Sequence, residues 1–186
     1  MALEEFSPPV ALQPGTLSTL GIDDYDGRLK GPMTAHPKVD AQTGELHFFG
    51  YGLGGLGSPR MAYHVADQHG QLTHSVEFDA PYASMVHDFV VTEHYVIFPI
   101  FPLTISAERA QQGRPALAWE PQKPSLVGIM PRAGTPADLR WFEGEACCVF
   151  HPMNAYEDNN EIVADMLRYD AAPGFAHADG TSPDPS

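Results

Sequence analysis

Glycine and proline interrupt this 186-residue chain so often, 17 and 18 times respectively, that a long helix has nowhere to run. Glycine in a helix interior loses backbone entropy, and proline past the first turn removes a hydrogen bond and clashes with the preceding turn. Between these breaks helical periodicity is hard to find, and the pattern predicts an all-β chain of many short strands. Strands are expected over 45–51, 60–66, 72–78, 85–92, 95–101, 125–130, 139–142, 147–151 and 161–169. Residues 40–45 and 67–71 read as tight turns, in which Asp supplies a side-chain acceptor and Gly the positive φ. One short helix or long loop is expected over 106–115. Residues 171–186, rich in Gly, Ala, Asp, Ser and Pro, are expected to form a flexible tail, leaving 1–170 as the folded unit. Strand groups recur at the few-dozen-residue spacing of propeller blades, and two to three blades would fit.

An apolar fraction of 43% is enough for a core. The balance of 24 acidic against 10 basic residues, a formal net charge of −14, repels phosphate backbones and anionic lipid, so nucleic acid is not an expected partner. No apolar run approaches a membrane span, and the acidic start Met1-Ala2-Leu3-Glu4-Glu5 lacks the basic region of a secretory leader. A cytoplasmic location is the expectation. The only two cysteines, Cys147 and Cys148, are adjacent. On an extended strand they point to opposite faces, so they are expected reduced and at least half buried.

Three histidines fall in strand-like or strand-end settings far apart in sequence: Thr34-Ala35-His36-Pro37-Lys38, Met85-Val86-His87-Asp88-Phe89 and Phe150-His151-Pro152-Met153-Asn154. A repeating β fold could gather them at its axis as a metal centre, and neutral imidazoles suit ferrous iron. Around them stand Val39-Asp40, Thr43-Gly44-Glu45-Leu46, Thr92-Glu93 and Asn154-Ala155-Tyr156-Glu157. Together these segments resemble the carotenoid cleavage oxygenase family. Ala80-Pro81-Tyr82-Ala83-Ser84-Met85 and Gly128-Ile129-Met130-Pro131-Arg132 resemble its lignostilbene dioxygenase branch.

The resemblance implies part of a seven-bladed β-propeller holding Fe2+ with four histidines, of which His36, His87 and His151 match the first three. The fourth family histidine lies beyond the point where this chain stops, and His177 lacks the matching setting. The resemblance also implies an enzyme that uses dioxygen to cleave a carbon–carbon double bond of an apolar polyene or stilbene into two carbonyl products. Ala2-Leu3-Glu4-Glu5 ahead of Thr16-Leu17-Ser18-Thr19-Leu20-Gly21 places Glu5 where the family has an outer-shell glutamate, with Glu4 where the family usually has tryptophan. Family members are more than twice this long. The alternative expectation is therefore a non-catalytic truncated or split propeller acting through a partner chain, with self-association through exposed strand edges. A zinc hydrolase is a further reading, one without a convincing general base.

Asp88 is expected to serve backbone hydrogen bonds rather than chemistry. Asn154 and Glu157 read equally as a capped turn or an outer-shell pair. His47, His64, His69, His74 and His94 are expected to face solvent. Tyr51, Phe98, Phe101, Trp119, Trp141 and Phe142 are read as ordinary core, with a substrate tunnel as the alternative. Gly52, Gly54, Gly55 and Gly57 read as a loop.

Overall fold

The computed structural model describes residues 1–182. A hairpin of β1 (Val10–Leu12) and β2 (Thr19–Ile22) precedes a four-stranded antiparallel sheet. That sheet runs in sequence order: β3 (Lys38–Val39), β4 (Leu46–Tyr51), β5 (Arg60–Ala66) and β6 (Leu72–Asp79). A second sheet begins with β7 (Val90–Val91) and β8 (Tyr95–Ile100). The chain then makes an excursion through β9 (Leu103–Ile105), helix α1 (Ala107–Gln111) and β10 (Leu117–Trp119), and returns as β11 (Ser125–Pro131) and β12 (Arg140–Gly144). The second sheet is ordered β7-β8-β11-β12, and β9 pairs with β10 outside it. A last antiparallel hairpin is formed by β13 (Pro152–Asp158) and β14 (Glu161–Met166).

The all-β expectation holds. Helix α1 lies inside the expected 106–115 stretch and is capped by Ser106, whose hydroxyl accepts from the Arg109 amide. β5 keeps its expected bounds, running between Pro59 and the Asp67 turn with every residue from Met61 to Ala66 buried. Residues 85–92 do not form one strand. Only Val90–Val91 are strand, because residues 83–85 pair instead with the excursion: Met85 donates to the Leu103 carbonyl and Ile105 to that of Ala83. The strand expected at 147–151 likewise begins at Pro152.

The core forms where the first two sheets face each other. Phe49, Tyr63, Phe78, Phe89, Phe98 and Met130 are buried in one cluster, with Phe49–Phe89 and Phe78–Phe98 ring centroids 5.0 Å apart. Burying an aromatic side chain of this size contributes about 1.5–3 kcal/mol. A second cluster gathers Leu103, Trp119, Cys148 and Ala172. Here residues 171–182 differ from the expected tail: Ala172 is fully buried, Phe175 packs on the cluster, and Trp119 donates its amide to the Ala176 carbonyl. The composition of that segment concealed one pairing with the free side of β10. Residues 183–186 of the expected tail lie outside the described residues. Both cysteines are free, Cys148 buried and Cys147 half-buried. No described helix is long and apolar enough to cross a membrane.

Candidate metal centre

Each of the three histidines stands shortly before the first strand of a sheet: His36 before β3, His87 before β7 and His151 before β13. Local sequence places them there. Gly50 lacks a Cβ where the Pro32 carbonyl oxygen lies, so the segment leading to His36 can rest against β4, and Thr34 donates its amide to the Phe49 carbonyl at 2.7 Å. Thr34 Oγ1 then accepts from the His36 amide at 3.1 Å. His87 is fixed on either side by the buried Val86 and Phe89. His151 follows Cys148, which pairs by backbone with Tyr169.

The three rings converge. His36 Nε2 lies 3.1 Å from His87 Nε2, which lies 2.9 Å from His151 Nε2, and all three ligand atoms fall within 4.8 Å of one another. Metal–nitrogen bonds of about 2.1 Å at right angles separate neighbouring nitrogens by about 3.0 Å, against about 3.4 Å at tetrahedral angles. The donor set and its spacing thus suit a single metal ion. Burial lowers the His36 pKa, and the nearby His87, His151 and Lys38 add to that against the opposing Asp88 carboxylate. A ring held neutral keeps its lone pair available.

Glu5 Oε1 is in close contact with His87 Nδ1. The other oxygen, Oε2, accepts from the buried Tyr51 hydroxyl at 2.6 Å. A carboxylate on the second ring nitrogen of a ligating histidine fixes the tautomer that turns Nε2 toward the metal. Lys38 Nζ meets Asp88 Oδ1 at 2.7 Å, joining the residues just beyond His36 and His87. Asp88 also accepts from the Phe89 amide. This ion pair was invisible in the sequence because its two halves belong to different sheets.

The remaining histidines fall elsewhere. His177 Nδ1 approaches the Trp119 carbonyl oxygen and stays out of the cluster. Contrary to expectation, His47 and His64 are 1% and 7% exposed; their strands lie between neighbours and have no solvent face. His69 is exposed, His74 half-buried, and His94 is exposed and bonded to Glu157.

His47 belongs to a second group, Asp40, Glu45 and His47, which is already filled by a cation. Arg132 reaches Asp40 at 2.7 Å, Glu45 at 2.8 Å and His47 Nε2 at 2.7 Å, and also bonds the Glu93 carbonyl. The guanidinium ties the first sheet to the β7–β8 turn. Glu157 grips the same turn from β13, accepting from Thr92 Oγ1 and the His94 amide, so it caps that turn and is not part of the three-histidine group. Asn154 is exposed.

Of the aromatics weighed for a tunnel, Phe98 and Trp119 are core, and Phe142 is 53% exposed. Phe101 lines a narrow crevice with Met85, His87, Leu103, Cys148 and Phe150. A cavity of about 830 Å³ opens between β11–β12 and the β13–β14 hairpin, and none of the three histidines lines it.

The family model of retinal pigment epithelial membrane protein matches residues 1–185. The chain belongs to this family, the carotenoid cleavage oxygenases. It is 41% identical over 174 residues to isoeugenol monooxygenase of Pseudomonas nitroreducens, covering 93% of this chain and 36% of that protein. It is 39% identical over 191 residues to resveratrol cleavage oxygenase 1 of Aspergillus fumigatus, covering 100% and 38%. The crystal structure of Pseudomonas brassicacearum lignostilbene dioxygenase matches with a TM-score of 0.93 at 41% identity, over 98% of this chain and 39% of that one. Cobalt-substituted Synechocystis apocarotenoid oxygenase matches with a TM-score of 0.79 at 29% identity, over 97% and 39%. The chain therefore spans well under half the length of the relatives it matches. The family is enzymatic, its named members oxygenases and dioxygenases.

Proposed function

We propose that this chain carries three of the histidine ligands of a ferrous iron centre in a β-propeller dioxygenase. The enzyme would cleave a carbon–carbon double bond of a stilbene or polyene. The observation that carries the reading is the convergence of His36, His87 and His151 through Nε2 at 2.9–3.1 Å spacings. Two four-stranded sheets and the β13–β14 hairpin correspond to two complete blades and the inner half of a third, consistent with part of a seven-bladed ring.

Ferrous iron, when bound, supplies the activation of dioxygen for double-bond scission to two carbonyl products. The chain's own residues do the rest. His36, His87 and His151 present their Nε2 atoms to the metal position, and Glu5, in contact with His87 Nδ1, would hold that ring in the tautomer that turns Nε2 to the metal. The Lys38–Asp88 pair braces the two segments that bear His36 and His87. Met85, Phe101, Leu103 and Phe150 flank His87 with apolar surface that excludes water and suits an apolar alkene. No side-chain acid or base is assigned a proton transfer in the cleavage.

Relatives of about 40% identity named for isoeugenol, resveratrol and lignostilbene support a phenol-bearing alkene, a stilbene among them, while carotenoid cleavage oxygenase 1 of Neurospora crassa, at 39%, keeps a polyene in the same range. The test is anaerobic reconstitution with ferrous salt, metal analysis, and chromatography of aldehydes after exposure to oxygen with a hydroxystilbene. One iron per chain, lost when the three histidines are replaced together, is the expected result. Stoichiometric zinc with no iron uptake, or iron retained by the triple variant, would overturn it.

A second reading, a non-catalytic piece acting through another chain, draws on the β13–β14 hairpin and the segment after it, where Met153 and Leu167 are 78% and 67% exposed. Iron uptake without any oxygen-dependent turnover, together with concentration-dependent association, would favour it.

A further inference from the structure

We propose that Tyr51 is a positioning residue for the metal centre, its hydroxyl holding the Glu5 carboxylate against His87 and so setting how tightly the three histidines grip a divalent ion. The proposal rests on the reading of His36, His87 and His151 as ligands.

Three separate segments meet at this point. Tyr51 ends β4 in the first sheet, Glu5 lies in the N-terminal segment, and His87 leads into the second sheet. One carboxylate oxygen of Glu5 contacts His87 Nδ1, and the other accepts the Tyr51 hydroxyl at 2.6 Å. A hydrogen bond to an ionised acceptor at that distance is among the stronger neutral-donor contacts. The Glu5 side chain is 12% exposed, so little water competes for either oxygen.

Tyr51 is suited to hold rather than to follow. It is 2% exposed, with its ring in the main core cluster, Phe6 edge-on at 5.3 Å and Phe49 stacked at 6.1 Å. Burial, and then the bond to Glu5, push its phenol pKa up, so it remains a protonated donor. Glu5 by contrast sits on a segment tied down nearby by the Glu4–Met33 and Ala2–Val10 bridges. Without the phenol, the carboxylate keeps only the imidazole as a polar partner and is free to turn about its last torsion. The His87 ring then loses its fixed tautomer and aim, the property on which an outer carboxylate acts.

The test is a double-mutant cycle on metal affinity, with cobalt(II) as the probe and its visible absorption as the readout. Tyr51→Phe keeps the ring packing and removes only the hydroxyl, while Glu5→Gln removes the acceptor. Tyr51→Phe is expected to weaken cobalt binding about tenfold, within the range for groups that orient a ligand. The double variant should bind no more weakly than Glu5→Gln alone, because the hydroxyl acts only through the carboxylate. A purely structural role would lower the melting temperature and leave cobalt affinity unchanged, or would make the two losses additive, and either result overturns the proposal. If the unmodified chain takes up no cobalt, the ligand assignment fails and this inference falls with it. If that chain binds cobalt and Tyr51→Phe binds it equally well, the ligands stand and the role of Tyr51 alone is rejected.

Discussion

β4 and β5 are buried along almost their whole length and press Phe49, Met61 and Tyr63 against Phe89 and Phe98 of the neighbouring sheet. β13 and β14 alternate half-buried and exposed residues, and no residue of either is buried. Both regions present a histidine just ahead of an inner strand. His36 and His87 thus rest on filled sheets, and His151, itself exposed, leads into a two-stranded hairpin. Placement of a ligand here needs only the strand it precedes and its entry turn, since His151 reaches the cluster ahead of a hairpin with no buried residue. The three histidines thus converge although the elements that carry them differ in burial.

Stability should follow the same division. Phe89→Ala, at a fully buried ring between the two sheets, is expected to cost about 3–5 kcal/mol in urea unfolding, the range for aromatic truncation in a core. A loss below about 1 kcal/mol would mean that the first two sheets do not form the cooperative core described here. Arg132→Leu comes next. It strands Asp40 and Glu45 and leaves His47 without its donor, at an expected cost of about 2–3 kcal/mol, less than for a fully buried pair because the guanidinium is partly exposed. An unchanged urea midpoint would show that the link from the first sheet to the β7–β8 turn is idle.

Within the first sheet, stability should also respond to pH through His47 and His64. Burial, aided by Arg132, holds the His47 pKa at about 4, and burial next to His74 does the same for His64. Both imidazoles return to about 6.5 on unfolding. Between those values the unfolded chain binds more protons, so stability is full above about pH 6.5 and falls as pH drops toward 4, by up to about 1.4 kcal/mol per unit for each histidine. His64→Gln should reduce that slope by one histidine's share. A slope identical to the parent chain would contradict the burial of His64 as a neutral ring. Smallest of all, Met153→Ser on the exposed hairpin is expected to change stability by less than about 0.5 kcal/mol. A loss above about 1.5 kcal/mol would break the contrast between the two regions.

Much of this was legible in the chain because it was local. Strand β5 and the 67–71 turn follow from a largely apolar stretch and the Asp–Gly pair that ends it, and α1 falls within the expected 106–115 stretch, all readable within a few residues. The segments bearing His87 and His151 were misread as strands because their apolar residues pack on other loops while the backbone crosses between sheets, which periodicity cannot register. Alternation assigns His47 and His64 to solvent because it assumes one wet face, whereas His47 lies against Tyr63 on the core side and His64 stacks on Phe48, which Leu29 and Met33 cover on the other. Glu5 was reachable only through likeness to a family. Tyr51, Arg132 and the Lys38–Asp88 pair were not reachable, since each bond joins residues whose proximity exists only once the sheets are assembled.

The claim on which the rest depends is that three imidazole nitrogens from three successive sheets surround one ion. The most direct measurement is X-ray absorption at the iron edge of the chain reconstituted anaerobically with one equivalent of ferrous iron. The account predicts an inner shell that includes three imidazole nitrogens at about 2.1 Å, with outer-ring scattering that diminishes when His87 is replaced by alanine. An inner shell of oxygen alone, or a spectrum indifferent to the loss of His87, would contradict it.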